Sequence, residues 1–303
     1  MNWLLITPAN TVSDFAQLQS VFAKQQIHMC ILETDAEGAL SHKALMDAVR
    51  DAAYCVMNKA SLLCKNDDML FALGYMIGKG VSVFMTERPE NSRYNYFSDQ
   101  LFSFTSVAAL SQSIEEHLPE YMAVINRKQA LDSLVSRGIP FTPDCFSFHI
   151  ASDNMRECSL FIAAGMDVNS CDSAGVSMLN IASRTGKLDM VTWLLAHGAD
   201  INAIARDRGY TPVMDAIWKT KPDIVEVLVN HGADLNVISK DGQPPLVLAV
   251  GNGNETICRL LVEHGADPLI KDSMGMSALD YARLFKKDRL VSLFEKYVQK
   301  EEQ

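Results

Sequence analysis

The chain has 303 residues, 48% hydrophobic and 21% charged, so it is long enough for two domains of ordinary size and too apolar for extensive disorder. Its net charge of −10, without a local run of lysine or arginine, argues against nucleic acid as a partner. The seven cysteines have neither a Cys-x-x-Cys pair nor a zinc-like spacing, which favours buried thiols in a reducing compartment. We expect no metal site and no cofactor.

The first six residues are apolar but lack a basic flank. This run is too short for a signal peptide or a membrane span, and its length suits a β-strand. We therefore expect a cytoplasmic protein without membrane contact.

Residues 1–126 alternate short β-rich runs with helical stretches, which predicts an α/β domain with a parallel sheet and a flavodoxin-like or Rossmann-like order of elements. The expected strands are Trp3–Ile6, Ile27–Leu32, Ala53–Met57 and Val81–Met85, and the expected helices are Val12–Gln25, Ser41–Arg50 and Asp68–Gly78. Ligands of such sheets bind at the carboxyl ends of the strands. That edge would hold Thr7, Asn10, Glu33, Thr34, Asp35, Asn58, Asp67, Asp68, Thr86 and Glu87.

The stretch Asn66–Val83 has an Asp-bearing loop, a helix containing Ala-Leu-Gly-Tyr, and Gly-Lys before the next strand. It resembles the signature of the nucleoside 2-deoxyribosyltransferase family, and the family's fold agrees with the strand and helix alternation. The resemblance places the family's nucleophilic glutamate at Ala72, and an alanine has no lone pair to attack a sugar carbon. We therefore expect a degenerate, non-catalytic domain, a pseudoenzyme.

Three interpretations of this domain stay open. In the first, it binds a nucleotide or nucleoside through Asp51, Asp67, Asp68 and Tyr75. In the second, the two adjacent carboxylates only stabilise the start of the third helix, and the tyrosine packs in the core. In the third, the protein is an enzyme that cleaves or transfers a nucleoside-type N-glycosidic bond. Its only support would be a carboxylate at the sheet edge, Glu33 or Glu87.

From residue 127 onward the sequence repeats. Gly165, Gly198, Gly232 and Gly265 are 33, 34 and 33 residues apart, and a second glycine series, Gly175, Gly209, Gly242 and Gly275, runs in phase with them. Amphipathic stretches follow each glycine of the second series. Thr211 is positioned to cap one helix before Pro212, and Gly232 is positioned to end the next one. Each unit is therefore predicted to be a helical hairpin followed by a loop.

The segments Asp172–Leu179 and Leu194–Asp200 resemble the two signatures of the ankyrin repeat, and the resemblance extends from about Phe146 to the end. It implies a solenoid of four to five units in residues 127–303, capped by a half-repeat at Gln129–Gly138 and by the helix Arg289–Tyr297. The histidine that usually follows the first signature is replaced in all four units, by Asn180, Met214, Val247 and Asp280.

Ankyrin arrays bind proteins on a concave face, so the resemblance implies a protein partner. The partner-facing positions of the family fall on Val176, Arg184, Arg206, Arg208, Tyr210, Trp218, Lys219, Gln243, Asn252, Met276 and Phe285. Tyr210, Trp218, Met276 and Phe285 would put apolar bulk on this face, as interaction hot spots do. The alternative is that Phe285 packs under the terminal helix with Leu284 and that the indole covers a neighbouring repeat.

The histidines at one repeat position, His197, His231 and His264, are expected to bond helix-terminal carbonyls.

Overall fold

The computed structural model describes residues 2–35, 39–87 and 100–301. The chain forms two compact units, Met1–Gln129 and Ala130–Gln303. The division between them falls within one long helix, Val107–Ser136.

The first unit contains a five-stranded, fully parallel sheet in the order β2-β1-β3-β4-β5. All four predicted strands and all three predicted helices are present, and the structure adds the strand β5, the short helix α3 and the long helix α5. The elements are β1 (Asn2–Pro8), a 3-10 turn (Val12–Phe15), α1 (Ala16–Lys24), β2 (Met29–Thr34), α2 (His42–Asp51), β3 (Ala52–Met57), α3 (Ala60–Leu63), α4 (Asp67–Gly78), β4 (Ser82–Thr86), β5 (Leu101–Phe104) and α5 (Val107–Ser136).

Both faces of the sheet are buried, which explains why its central strands are continuous apolar runs rather than alternating ones. In β1, Leu4 and Ile6 pack with α2 and α4, whereas Trp3 and Leu5 pack with α1 and α5. The helices therefore form one layer on each side of the sheet.

The segment Gln129–Gly138 is not a separate half-repeat. Its residues up to Ser136 complete α5, which runs through the expected boundary without a break. The sequence-based domain boundary after residue 126 thus falls inside a helix.

The second unit is a stack of five helical hairpins. Each first helix contacts the next first helix, and from the second hairpin onward each second helix contacts the next second helix. This gives two layers around one core. The hairpins are α6 (Pro143–Ala151) with α7 (Met155–Ala163), α8 (Met178–Thr185) with α9 (Leu188–Ala196), α10 (Pro212–Trp218) with α11 (Pro222–Asn230), α12 (Pro245–Gly251) with α13 (Glu255–Glu263), and α14 (Ala278–Leu284) with α15 (Asp288–Glu301).

Helix ends follow the predicted chemistry. Thr211 occupies the N-cap of α10 with Pro212 next, although the threonine side chain makes no capping bond. Gly232 adopts φ +86° just after α11. His197, His231 and His264 each hydrogen-bond through Nδ1 to the carbonyl four residues earlier, at 2.8, 2.7 and 2.8 Å, as expected.

Asparagines fix the register between hairpins. Asn236 Nδ2 donates to the Gly265 carbonyl at 3.1 Å, and Asn236 Oδ1 accepts from the Asp267 amide at 2.9 Å. Asn169 makes the same pair of bonds two hairpin intervals earlier, to Gly198 and Asp200. Each bond satisfies backbone groups that the loops leave unpaired.

Candidate functional site

A cationic and aromatic cluster lies at the end of α10. The guanidinium carbon of Arg208 is 3.8 Å from the ring centroid of Trp218, and Lys219 Nζ is 4.0 Å from the same centroid. Trp218 also packs its buried part against the core of the stack. Three of the predicted partner-facing residues thus form one cluster, in which the indole quadrupole stabilises two cations.

An open pocket of about 180 Å³ lies between the fourth and fifth hairpins. It brings together the predicted residues Gln243, Asn252 and Phe285. Its other lining residues are Val247, Leu248, Gly251 and Tyr281.

Two hydrogen bonds connect the α10 cluster to this pocket. Asn252 Nδ2 donates to the carbonyl of Ile217, the residue before Trp218, at 2.9 Å. Tyr210 Oη donates to Gln243 Oε1 at 3.5 Å. The cluster and the pocket therefore belong to one continuous surface. We call it the first-helix face, and it includes Arg208, Trp218, Lys219, Gln243, Asn252 and Phe285.

Arg184 forms a partly buried ion-pair network at the other end of this face. Its Nε donates to Asp215 Oδ1 at 3.0 Å and its Nη1 donates to Asp207 Oδ2 at 2.9 Å. Asp215 is 0% exposed and also accepts from Asn180 Nδ2 at 2.9 Å. Burial raises the pKa of Asp215, and its bonds to Arg184 and Asn180 oppose this. Arg184 is thus held by its own chain.

Asn180 and Asp280 preserve the local network at the replaced histidine positions. Asn180 Nδ2 bonds the Tyr210 carbonyl of the next hairpin at 3.0 Å. Asp280 Oδ2 accepts from the backbone and hydroxyl of Ser277 at 3.0 and 2.7 Å, forming a capping box. Asn180 therefore links two hairpins, and Asp280 stabilises the start of its own hairpin.

The expectation of exposure is wrong for Val176 and Tyr210. Their side chains are only 3% and 6% exposed, and Tyr210 belongs to the core cluster of the stack. Met276 is half-buried, and Arg206 is exposed. Phe285 is 47% exposed, so the alternative that it packs under the terminal helix is also wrong; Leu284 likewise is 60% exposed.

In the first unit, the four proposed ligand contacts do not converge. Asp67 and Asp68 begin α4 at the carboxyl edge of the sheet, whereas Asp51 ends α2 immediately before β3. Tyr75 lies seven residues after Asp68, about 10 Å further along the helix. The Tyr75 side chain is 37% exposed, and Lys79 Nζ lies 5.4 Å from its ring centroid. The alternative that this tyrosine packs in the core is therefore also wrong.

The helix cap is Asn66, one residue earlier than expected. Its side chain accepts from the amides of Asp68 and Met69. Asp68 Oδ1 instead shares a hydrogen bond with His42 Nδ1 at 2.8 Å. Both carboxylates still lie in the first turn, where they favour the helix dipole.

The sheet edge does bring together a polar cluster. Asn58 Nδ2 donates to Thr7 Oγ1 at 3.0 Å, and Asn58 Oδ1 accepts from Thr86 Oγ1 at 2.8 Å. The three residues are at most 4% exposed and join the ends of β1, β3 and β4. Thr11 completes the cluster through Thr7 at 2.6 Å. Thr11 was not among the residues expected at this edge.

Position 72 is a core position. Ala72 is 0% exposed and belongs to the apolar cluster between α4 and the sheet. Glu33 is exposed on β2, and Glu87 is exposed just after β4 with φ +50°.

Within residues 2–35, 39–87 and 100–301, no three His, Cys, Asp or Glu side chains are grouped as metal ligands. In the same part of the chain, none of the helices combines the length and apolarity that a membrane crossing needs.

A family model of three ankyrin repeats matches residues 147–239 and 232–301. The chain is also similar to an ankyrin repeat-containing protein of Treponema pallidum (strain Nichols), with 30% identity over 246 residues, 81% of this chain and 82% of that protein. Because 246 residues exceed the length of the second unit, the similarity extends into the first unit.

The palmitoyltransferase ZDHHC13 of Homo sapiens is 30% identical over 127 residues, which is 42% of this chain but 15% of that protein. The matching protein of Mus musculus is 30% identical over 124 residues, again 15% of its length. The hairpin stack, the in-phase glycines and these matches lead to one conclusion: the chain belongs to the ankyrin repeat proteins.

Proposed function

We propose that the chain is a protein-interaction module whose ankyrin array binds a protein partner through the first-helix face. The observation that carries this proposal is the continuity of the Arg208, Trp218 and Lys219 cluster with the pocket beside Phe285. Aromatic and arginine side chains around a pocket are typical of binding hot spots. Of the predicted contacts, the exposed or half-exposed ones remain in the proposal: Arg206, Arg208, Trp218, Lys219, Gln243, Asn252, Met276 and Phe285.

The test is selection of peptides from a random display library on the full chain. Selected peptides should lose binding to Phe285→Ser and Lys219→Glu, two substitutions at exposed positions. Arg259→Glu on the second helix α13 is the matched control and should retain binding. Equal binding to all three variants would contradict the proposal, because the partner would then contact another surface.

We infer that the first unit is a flavodoxin-like doubly wound domain without nucleoside chemistry. Its strand order supports the flavodoxin-like doubly wound arrangement. Complete burial of Ala72 supports the absence of nucleoside chemistry, since a carboxylate at this position would lie in an apolar core. The separation of Asp51 at the end of α2 from Asp67 and Asp68 at the start of α4, and of Tyr75 further along α4, gives no support to a nucleotide site.

Incubation of the full chain with 2′-deoxynucleosides, followed by chromatography, tests this inference. No free base should form. Release or exchange of the base would overturn it. A thermal-shift screen with nucleosides and nucleotides tests binding separately, since a ligand of the folded state raises the melting temperature.

All seven cysteines are free thiols, which supports a reducing, cytoplasmic location as part of this proposal.

A further inference from the structure

Positive charge is concentrated on one part of the first-helix face. Arg208 and Lys219 share the Trp218 ring, and Lys240 Nζ donates to the carbonyl of Arg206. These four cations lie in a segment, residues 206–240, that holds five Lys or Arg and five Asp or Glu, so the positive charge belongs to this group of side chains and not to the segment as a whole. In the described part of the chain, no carboxylate oxygen lies within 4.0 Å of the side-chain nitrogens of Arg208 or Lys219. Two like charges at one ring repel each other and would be stabilised by an anion.

The nearby carboxylates do not neutralise this group. Asp207 accepts from both terminal nitrogens of Arg184, at 2.9 and 3.4 Å. Asp215 is buried against the same guanidinium. Asp241 remains as one exposed negative group next to Lys240. The balance at the surface is therefore positive.

The adjoining pocket has an apolar floor. Val247 and Leu248 are 6% and 9% exposed, and the 47% exposed ring of Phe285 forms one wall. The hydroxyl of Tyr281 is bonded to Asp272 Oδ2 at 2.7 Å, so it is already satisfied. A volume of about 180 Å³ accommodates a phenyl-sized group, since a protein cavity of about 150 Å³ can hold benzene.

We propose that the partner presents a peptide segment in which carboxylate side chains lie next to one bulky apolar side chain. The carboxylates bind Arg208 and Lys219, and the apolar side chain enters the pocket beside Phe285. This inference rests on the proposed function and adds the chemistry of the partner. The hydrogen bond from Asn252 to the Ile217 carbonyl makes the two subsites adjacent, so one short segment spans both.

Charge complementarity favours an acidic peptide over other occupants. Its carboxylates would be attracted locally to the cations although the whole chain is negative, and this attraction would weaken with added salt. A nucleic acid also carries anions and stacks on aromatic rings, but the net charge of −10 repels an extended phosphate backbone.

The test is fluorescence-anisotropy titration of the full chain with labelled synthetic peptides. The probe contains four glutamates followed by one phenylalanine. One comparison peptide has lysines in place of the glutamates, and another has serine in place of the phenylalanine. We expect the lysine peptide to bind at least about tenfold more weakly and the serine peptide about fivefold more weakly than the probe.

Variants locate the contacts. Arg208→Glu combined with Lys219→Glu should weaken binding of the probe about tenfold, and Phe285→Ser about fivefold. Arg259→Glu, the control on α13, should change it less than about twofold. The inference is overturned if the lysine peptide binds as well as the probe, or if a single-stranded oligonucleotide binds more tightly than the probe.

The library selection separates this inference from the proposed function. If selected peptides use the first-helix face but lack acidic residues, the partner chemistry is wrong and the proposed function stands. If no peptide of any composition uses this face, both are wrong.

Discussion

Removal of Arg184 should destabilise the array mainly through the carboxylate that it leaves behind. Asp215 is 0% exposed, and Arg184 donates to it through Nε at 3.0 Å and Nη2 at 3.2 Å. Loss of one partner from a buried ion pair costs about 3–5 kcal/mol. The side chain of Arg184 is 23% exposed and Asn180 still donates to Asp215, so we expect about 2–3 kcal/mol for Arg184→Ala.

The loss of folding free energy in Arg184→Ala should depend on pH. Burial already raises the pKa of Asp215, and loss of the guanidinium raises that pKa further. The folded variant then binds a proton more readily than the unfolded chain, so its stability falls as the pH rises from the ordinary aspartate pKa through the raised one. The Arg184–Asp207 pair adds no pH dependence between pH 5 and pH 8, because the pKa of Asp207 lies below its ordinary value and its carboxylate stays ionised in this range. The loss should therefore be smaller at pH 5 than at pH 8.

Urea unfolding of the full chain, followed by far-ultraviolet circular dichroism between pH 5 and pH 8, measures this loss. Adding Asp215→Asn to the Arg184→Ala variant removes the orphaned charge. It should recover about half of the lost free energy and abolish most of the pH dependence. An equal loss at every pH, without recovery in the double variant, would refute the reasoning. It would mean that Arg184 stabilises the stack by packing its aliphatic stem.

Three further predictions concern the array. Gly209 has φ +69°, and a Cβ there would lie 2.6 Å from the backbone nitrogen of Lys240, so Gly209→Ala should cost roughly 2–4 kcal/mol in urea unfolding; an unchanged midpoint would contradict this. Asn236→Ala removes two bonds between hairpins and should cost about 1–3 kcal/mol, whereas a loss below about 0.5 kcal/mol would show that water replaces them. Exposed Cys171 should react with a thiol reagent in the folded protein, while Cys258, whose pKa burial raises to about 12, should react only on unfolding; rapid modification of both would refute this.

The array was predictable from sequence because its determinants are local. Each glycine in the left-handed region and each helix cap acts within a few residues, and the period of 33 repeats them. Position on the hairpin did not determine exposure, however. The repeat position of Tyr210 predicted a surface residue, but the ring lies in the core and Oη reaches Gln243.

Contacts between residues that are distant in the sequence could not be predicted from it. Arg208, Trp218 and Lys219 were each expected on the partner-facing surface, yet nothing in their spacing shows two cations sharing one ring. In the first unit, β5 is only four residues long and was missed. The proposed ligand contacts do not come together, because the rise of the helix puts Tyr75 toward the opposite end of α4 from Asp68.

The central claim is that a protein partner binds the first-helix face, and hydrogen–deuterium exchange of the full chain with and without a library-selected peptide tests it most directly. The account predicts slower exchange in α10, α12 and α14 and in the hairpin tips before them, with α11 and α13 unchanged. Protection confined to the second helices or to the first unit would contradict it.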